Sequence, residues 1–483
     1  MFVLSVKLKN VSSENIGDFY GRNRAVPLPC CKKGHTHPEC FDIKGKNEEC
    51  LPYSRSLTVP NANCSFGQRQ QINMATSYLD LSQIYGSNSE TSNKMRSFKD
   101  DKLKEVNPKW DDQKLFEESR RITVAQFQHI TFNEIVPTLV GKEQLRVMGI
   151  RLQTSGYDSG YDLSVDASAS NVFAAAVGQF FLTLIPDKII SSDRQFPTQN
   201  DLLSKQFNDP SILYDKGRLD GILKFLLNNP IEKPGLHIAK ELKKTFIGRN
   251  GDVSDSIDFV SMIIQMGRDH GLPSYLEWRR FCKLEPLQSF ASLQTHFKPS
   301  VNISDFERLY ESPEDIDLFV GGLSEQPAKG SLLGSTFACL FAHQMSQTRR
   351  GDRFWYENFV SPSAFKLEQV EEIRKTSMAR IICDNVQTVT QIQHLAFQLP
   401  DEYGNCPLQC NSSTLIPSFN ADVFREEEKL MTLPITKETV EKAIRLGLEQ
   451  WKRYEEGEGR RISALQSDSS PSALLSHALL MAP

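Results

Sequence analysis

The chain has 483 residues, with 56 lysines and arginines against 60 aspartates and glutamates and a formal net charge of −4. That length is ample for a large buried core, and the weakly acidic balance, without any basic run, excludes a protein that binds nucleic acid by neutralising phosphates. No segment reaches the roughly 20 apolar residues that a membrane-spanning helix needs, so no transmembrane segment is expected.

Met1 to Lys9 holds a short apolar stretch broken by Lys7 and Lys9, too short for the apolar centre of an export signal. The cysteines point the other way. Ten are present, and Cys30, Cys31, Cys40, Cys50 and Cys64 crowd the start. An even number with a dense cluster predicts disulfides and an oxidising compartment. The rival is a zinc site from Cys30, Cys31, His35, His37 and Cys40, which the adjacent Cys30-Cys31 pair fits poorly. Four Asn-x-Ser sequons, at Asn10, Asn63, Asn302 and Asn411, agree with a secreted glycoprotein. The expectation is an exported chain whose true start lies upstream of Met1, or an isoform without its signal.

Residues 1–70 read as a loop-rich, cysteine-rich part, 71–459 as a helical core and 460–483 as a flexible tail rich in serine and alanine. Residues 76–82 (TSYLDLS) place the oxygens of Thr76, Asp80 and Ser82 at short intervals; a hard cation such as calcium wants oxygens from one loop, with a further partner from elsewhere. Residues 112–139 carry Phe127, Ile130, Phe132, Ile135 and Val136 on nearly every face after Ile122, which predicts a central buried helix. His129 on that helix reads as a satisfied core histidine. Residues 171–185 predict a second buried helix, capped by Asn171 and stopped by Pro186. Further helices are predicted at 219–229, 256–270 (stopped by Gly271 and Pro273), 331–348 and 364–383. His270, in Gly-Arg-Asp-His-Gly, is either catalytic or part of a hydrogen-bond network at a helix end. Arg350-Gly351-Asp352 spells an adhesion tripeptide, although the run into Phe354-Trp355-Tyr356 predicts a packed segment. Thr436 to Glu455 forms an amphipathic helix with Val440, Ala443, Ile444, Gly447, Leu448 and Trp451 on one stripe.

Several long runs then resemble the animal haem peroxidases, especially the chorion-peroxidase and peroxinectin branch: HPECF (37–41), INMATSYLDLSQIYGS (72–87), the stretch from NPKW to LVG (107–141), IQMGRDHGLPSYLEWRRFC (264–282), the stretch from GGLSEQPAKG to FWYEN (321–358) and RIICDN (380–385). The resemblance spans roughly residues 30 to 455 and implies a mainly α fold, one large peroxidase-like helical domain built around haem. It also implies a calcium loop of Thr76, Tyr78 by its carbonyl, Asp80 and Ser82, and disulfides between Cys282 and Cys339 and between Cys383 and Cys410. The amino-terminal five cysteines are expected to pair among themselves, leaving one over, and Cys406 is unassigned.

The haem residues of the family do not carry over. Its distal motif, a Trp-Gly-Gln-x-x-x-His-Asp run, has no match here, and FKD (98–100) passes directly into DKLKEVNPKW (101–110) where the family has a segment with the distal arginine and a haem-linking glutamate. The proximal helix of the family reads Phe-Ala-Thr-Ala-Ala-Phe-Arg-Phe-Gly-His-Ser-Leu-Ile and aligns without a gap with Phe173 to Ile185. Its iron-ligating histidine falls on Leu182 and its propionate-binding arginine on Gln179. In the Asn-Ile-Gln-Arg-Gly-Arg-Asp-His motif, the asparagine that orients the ligand falls on Ile263 and a second propionate arginine on Met266. Leucine cannot ligate iron, and without the histidine its supporting asparagine loses its role. The resemblance with these departures implies an inactive pseudoperoxidase with an extracellular binding or structural role in matrix or adhesion, haem lost, and a calcium loop that still offers its ligands but lacks the family's further one, the aspartate beside the distal histidine. The alternatives are a partial or alternative product of a locus that encodes an active peroxidase, and a chain that no longer folds.

Overall fold

The computed structural model describes residues 30–31, 37–44, 50–59, 69–73, 75–85, 101–193, 196–202, 213, 215–244, 258–360, 362–412, 414–426 and 445. The chain divides into two compact units, Met1–Phe424 and Arg425–Pro483. The predicted helix at 436–455, apart from Arg445, and the tail at 460–483 lie outside the described residues, as does Cys64.

The first unit is mainly helical. Among the described residues its strands make only three two-stranded antiparallel ribbons: Ile43–Lys44 with Cys50–Leu51, Lys188–Asp193 with Phe196–Leu202, and Gln391–Gln393 with Pro407–Gln409. Two long helical stretches carry the core. The first begins at Asp111, whose side chain accepts the amide of Lys114 and caps the Asp112–Ile130 helix. The run continues as a π-helical turn, Thr131–Ile135, and ends as Val136–Val140 before Gly141. The second is Ser335–Arg350, buried on nearly all faces. Its approach to the Leu318–Ser324 helix depends on glycine: a Cβ at Gly322 would sit 2.1 Å from the ring of Phe337.

Two predicted helices are divided. Residues 364–383 form Leu367–Ile373 and Met378–Asn385, because Ser377 accepts the amide of Arg380 and starts a new helix. Residues 171–185 are α-helical only over Asn171–Ala175; Ala176 leaves the helical region (φ −135°) and Val177–Leu184 continues as a 3-10 helix. Such long 3-10 runs are uncommon. Here the side-chain Nε2 of Gln179 donates to the Ala174 carbonyl at 2.8 Å, an acceptor that a continuous α-helix would offer to the Gly178 backbone amide. Ser170, not Asn171, caps this segment by accepting the Phe173 amide.

Among the described residues four disulfides lock the unit. Cys30–Cys40 and Cys31–Cys50 tie the amino-terminal part, Cys282–Cys339 joins the end of the Tyr275–Phe281 helix to the Ser335–Arg350 helix, and Cys383–Cys410 ties Met378–Asn385 to its ribbon. The zinc alternative is overturned, since three of its five residues, Cys30, Cys31 and Cys40, have their sulfurs in disulfides. Cys406 is a free, exposed thiol.

Candidate functional site

The segment Phe173–Ile185 packs its aromatic side chains around Phe341 of the Ser335–Arg350 helix: Phe173, Phe180 and Phe181 all lie with ring centroids within 6.2 Å of it. Leu182 and Ile263 belong to the same continuous core as these rings and are 5% and 2% exposed. Gln179 and Met266 are half-buried. None of the four positions brings an imidazole or a cation, and the Gln179 side-chain Nε2 already donates to the Ala174 carbonyl. These residues do not fit the axial ligation and propionate pairing of a haem, which call for a donor to iron and for positive charge.

The Phe259–Asp269 helix, capped by Asp258, carries the next part of the site at its carboxyl end. Asp269 has a fully buried carboxylate that accepts Arg55 Nε at 2.5 Å and the Ser56 amide at 2.8 Å. Beside it, His270 Nε2 lies 2.6 Å from the Ser56 hydroxyl and Nδ1 lies 2.6 Å from Asn171 Oδ1. Asn171 in turn donates to Gln71 at 3.1 Å. Both ring nitrogens are therefore engaged, and burial holds the His270 pKa below its ordinary value. The geometry is that of a structural clamp: the Asp-His pair fastens the cysteine-rich segment to the helix end and to residue 171. Sequence reading offered this role for His270 but missed Asp269 as the principal anchor. The signal was available, since an aspartate next to the terminal histidine of a buried helix needs a cation.

The oxygen-bearing stretch lies just before the short Ser82–Tyr85 helix. The Thr76 hydroxyl accepts the Tyr78 amide at 3.2 Å, and Asp80 accepts the Ser82 amide at 2.9 Å. Thr76 and Tyr78 are exposed, Asp80 and Ser82 half-buried. Tertiary structure adds a carboxylate that spacing could not reveal. Gln128 Nε2 bridges the Leu79 carbonyl and Asp352 Oδ2, each at 3.3 Å, and the Asp352 pKa is pushed up to about 6 by burial, with the charge of Asp80 adding to the rise. Thr76, Asp80 and Ser82 thus present oxygens from one short stretch, and Asp352 is a buried carboxylate that feels the charge of Asp80. The same burial answers the adhesion reading of residues 350–352: Asp352 is 6% exposed, its Oδ1 accepts the Phe354 amide at 2.8 Å, and a Cβ at Gly351 would lie 2.7 Å from Ala167.

Two further buried groups sit in the central helical stretch. His129 Nδ1 lies 2.9 Å from the Tyr356 hydroxyl, with Nε2 unpartnered; burial lowers its pKa to about 4. Glu134, in the π-helical turn, accepts the Met378 amide at 3.0 Å through Oε1 and leaves Oε2 unpartnered; burial raises its pKa to about 7. Burial favours the neutral form of each, and His129 is the core histidine that the sequence predicts, though satisfied at only one of its two nitrogens.

Comparison with known proteins follows the same segments. The family model described as animal haem peroxidase matches residues 15–105 and 100–397. Chorion peroxidase of Drosophila melanogaster is 27% identical over 466 residues, covering 82% of this chain and 56% of that protein. The peroxidasin homolog of Homo sapiens is 34% identical over 312 residues, covering 63% of this chain and 20% of that protein. The chain thus spans about half the length of the first relative and a fifth of the second. Among solved structures, peroxidase A from Dictyostelium discoideum superposes with a TM-score of 0.59 at 22% identity, covering 73% of this chain and 80% of that one; at this identity the likeness speaks for the fold.

Proposed function

Because the chain belongs to the animal haem peroxidase family, we propose that it is a pseudoperoxidase, a member whose proximal haem site has been rebuilt as apolar core and whose role is binding or structural, in extracellular matrix or adhesion. The observation that carries this reading is the burial of Leu182 and Ile263 in one continuous hydrophobic cluster with Phe180, Phe337 and Phe341. Four substitutions at four separate haem contacts are chemically consistent with one another. Buried arginines without propionates would be uncompensated charges, and a buried asparagine without its histidine would cost about 1–3 kcal/mol. Gln179, Met266 and Ile263 avoid both penalties. The disulfides support an oxidising, extracellular setting, and the peroxidasin and chorion-peroxidase relatives support a matrix context. Among the described residues no helix is long and apolar enough to cross a membrane.

The cation reading goes with it. Calcium is proposed to sit among Thr76, the Tyr78 carbonyl, Asp80 and Ser82, with Asp352 as the nearby second carboxylate.

The second reading, a partial product of an active peroxidase locus, is favoured by the similarity to proteins that are themselves named peroxidases. An absorbance titration of the purified chain with haemin separates the two. The expected outcome is no saturable Soret band and no peroxide turnover. A band that saturates at one haem per chain would overturn the pseudoperoxidase reading. Its disappearance in Met266→Ala would then identify a thioether as the ligand, a donor that cytochromes use.

A further inference from the structure

The rebuilt proximal segment borders a cavity of about 500 Å³. Its floor is apolar, formed by Ala175, Ala176, Ile263, Ile264, Leu272 and Phe319. Ala176 is the residue at which the α-helix gives way to the 3-10 helix, and Ile263 is one of the substituted positions. The size falls in the range of ligand-binding clefts.

The rim has the opposite character. Glu311, Glu314, Asp315 and Asp317 line it, against the single guanidinium of Arg268. Arg268 is spent on Asp317, which it grips through two bonds of 2.9 and 2.8 Å. Asp315 is used in the capping box with Ser312, and Glu314 pairs with Arg280. Glu311 is exposed, and its neighbour Leu309 is left 71% exposed at the mouth. An apolar floor under a carboxylate rim selects ligands that carry apolar groups and positive charge together.

We propose that this cavity docks a basic peptide segment of a protein partner, in which aliphatic side chains alternate with lysine or arginine. With Asp317 held by Arg268 and Glu314 by Arg280, the rim charges left for a ligand are Glu311 and Asp315, four positions apart, so a ligand that meets both must offer cations at two points along its length. A peptide does so and a single-headed organic amine does not. Aliphatic side chains enter over Ile263 and Leu272 while the basic side chains meet Glu311 and its neighbours. This names a partner class for the binding role proposed above. Its test reads peptide binding alone, so it can fail while the haemin titration comes out as expected, and the reverse.

The probe is a fluorescently labelled, end-blocked leucine–lysine hexapeptide, titrated against the full chain by anisotropy, with leucine–glutamate and serine–lysine hexapeptides as controls. Gly267→Leu plugs the cavity from within the Phe259–Asp269 helix, where an added Cβ meets only Leu272 Cδ1 at 3.7 Å. Saturable binding of the leucine–lysine peptide is expected. It should weaken at least about tenfold for both controls and for Gly267→Leu, and several-fold for Glu311→Lys or on raising the salt. Should Gly267→Leu lose its native melting transition, Glu311→Lys at its exposed position carries the decision. The proposal is overturned if the serine–lysine peptide binds as tightly as the leucine–lysine peptide, which would mean attraction to acidic surface alone. It is equally overturned if folded Gly267→Leu, or Glu311→Lys in its place, binds like the parent.

Discussion

Leu182 sits among Phe180, Phe337 and Phe341 with 5% of its surface exposed, so its side chain contributes to stability as core. Leu182→Ala should therefore cost roughly 2–5 kcal/mol of unfolding free energy. The same change at Leu163, 87% exposed, should stay within about 0.5 kcal/mol. Denaturant unfolding of both variants measures the contrast, and equal small effects would mean that the rebuilt segment is not packed as core. His270 marks a different lesson at this scale. A histidine in a Gly-Arg-Asp-His run reads from sequence as catalytic or structural with equal ease, because residue type and spacing are the same for both. Only the partners decide, and Ser56 and Asn171 occupy both of its nitrogens.

At the scale of elements, the central helical stretch buries two titratable groups whose shifts oppose each other. His129 falls from an ordinary 6.5 to about 4, and Glu134 rises from an ordinary 4.5 to about 7. Between pH 4.5 and 6.5 the folded chain holds one proton on Glu134, while the unfolded chain holds one on His129, so their contributions to the pH dependence of stability cancel. Single substitutions uncover them. Glu134→Gln leaves the depressed His129, whose contribution is present above pH 6.5 and lost as pH falls towards 4. Relative to the parent, stability of this variant should rise with pH across the window, by at most about 1.4 kcal/mol per unit. His129→Gln leaves the raised Glu134, whose contribution is present below pH 4.5 and lost as pH rises through about 7, so the relative slope should be negative. Unfolding free energies at three pH values across the window test this; slopes of the same sign in both variants would refute it. The sequence pattern located the helix and the buried histidine. The π-helical turn that carries Glu134 inward escaped it, because apolar periodicity assumes a constant 3.6 residues per turn.

For the molecule as a whole, the cation reading makes a prediction about global stability. The 75–82 segment reaches the core through Gln128, which touches both the Leu79 carbonyl and Asp352. A cation held there binds the folded chain and not the unfolded one, adding about 2.7 kcal/mol when present at a hundred times its dissociation constant. Millimolar calcium should raise the melting temperature, magnesium should do so less because it demands tighter octahedral geometry, and Asp80→Asn should abolish the shift. A calcium-independent melting temperature would remove the cation from the picture.

Family membership and the mainly helical class were legible in the chain itself, since both reside in contiguous runs such as residues 72–87 and 264–282 that survive as local patterns. Helix positions were legible wherever an apolar run met a stop residue, as at Gly271, which takes the left-handed conformation (φ 63°) that ends the Phe259–Asp269 helix. Residue identity alone also rules out an imidazole or a guanidinium at Leu182, Gln179, Ile263 and Met266. What only the tertiary structure decided was which groups meet: Asp269 with Arg55, more than 200 positions apart, the Asp352 carboxylate brought towards the Asp80 loop, the 3-10 helix at Val177–Leu184 with the Gln179 side chain bonded back to Ala174, and the acidic-rimmed cavity over Ile263. The division has a physical cause. Propensity, capping and residue chemistry act over a few positions and are written locally, whereas burial and long-range pairing depend on how the whole chain closes and leave little periodic trace in the sequence.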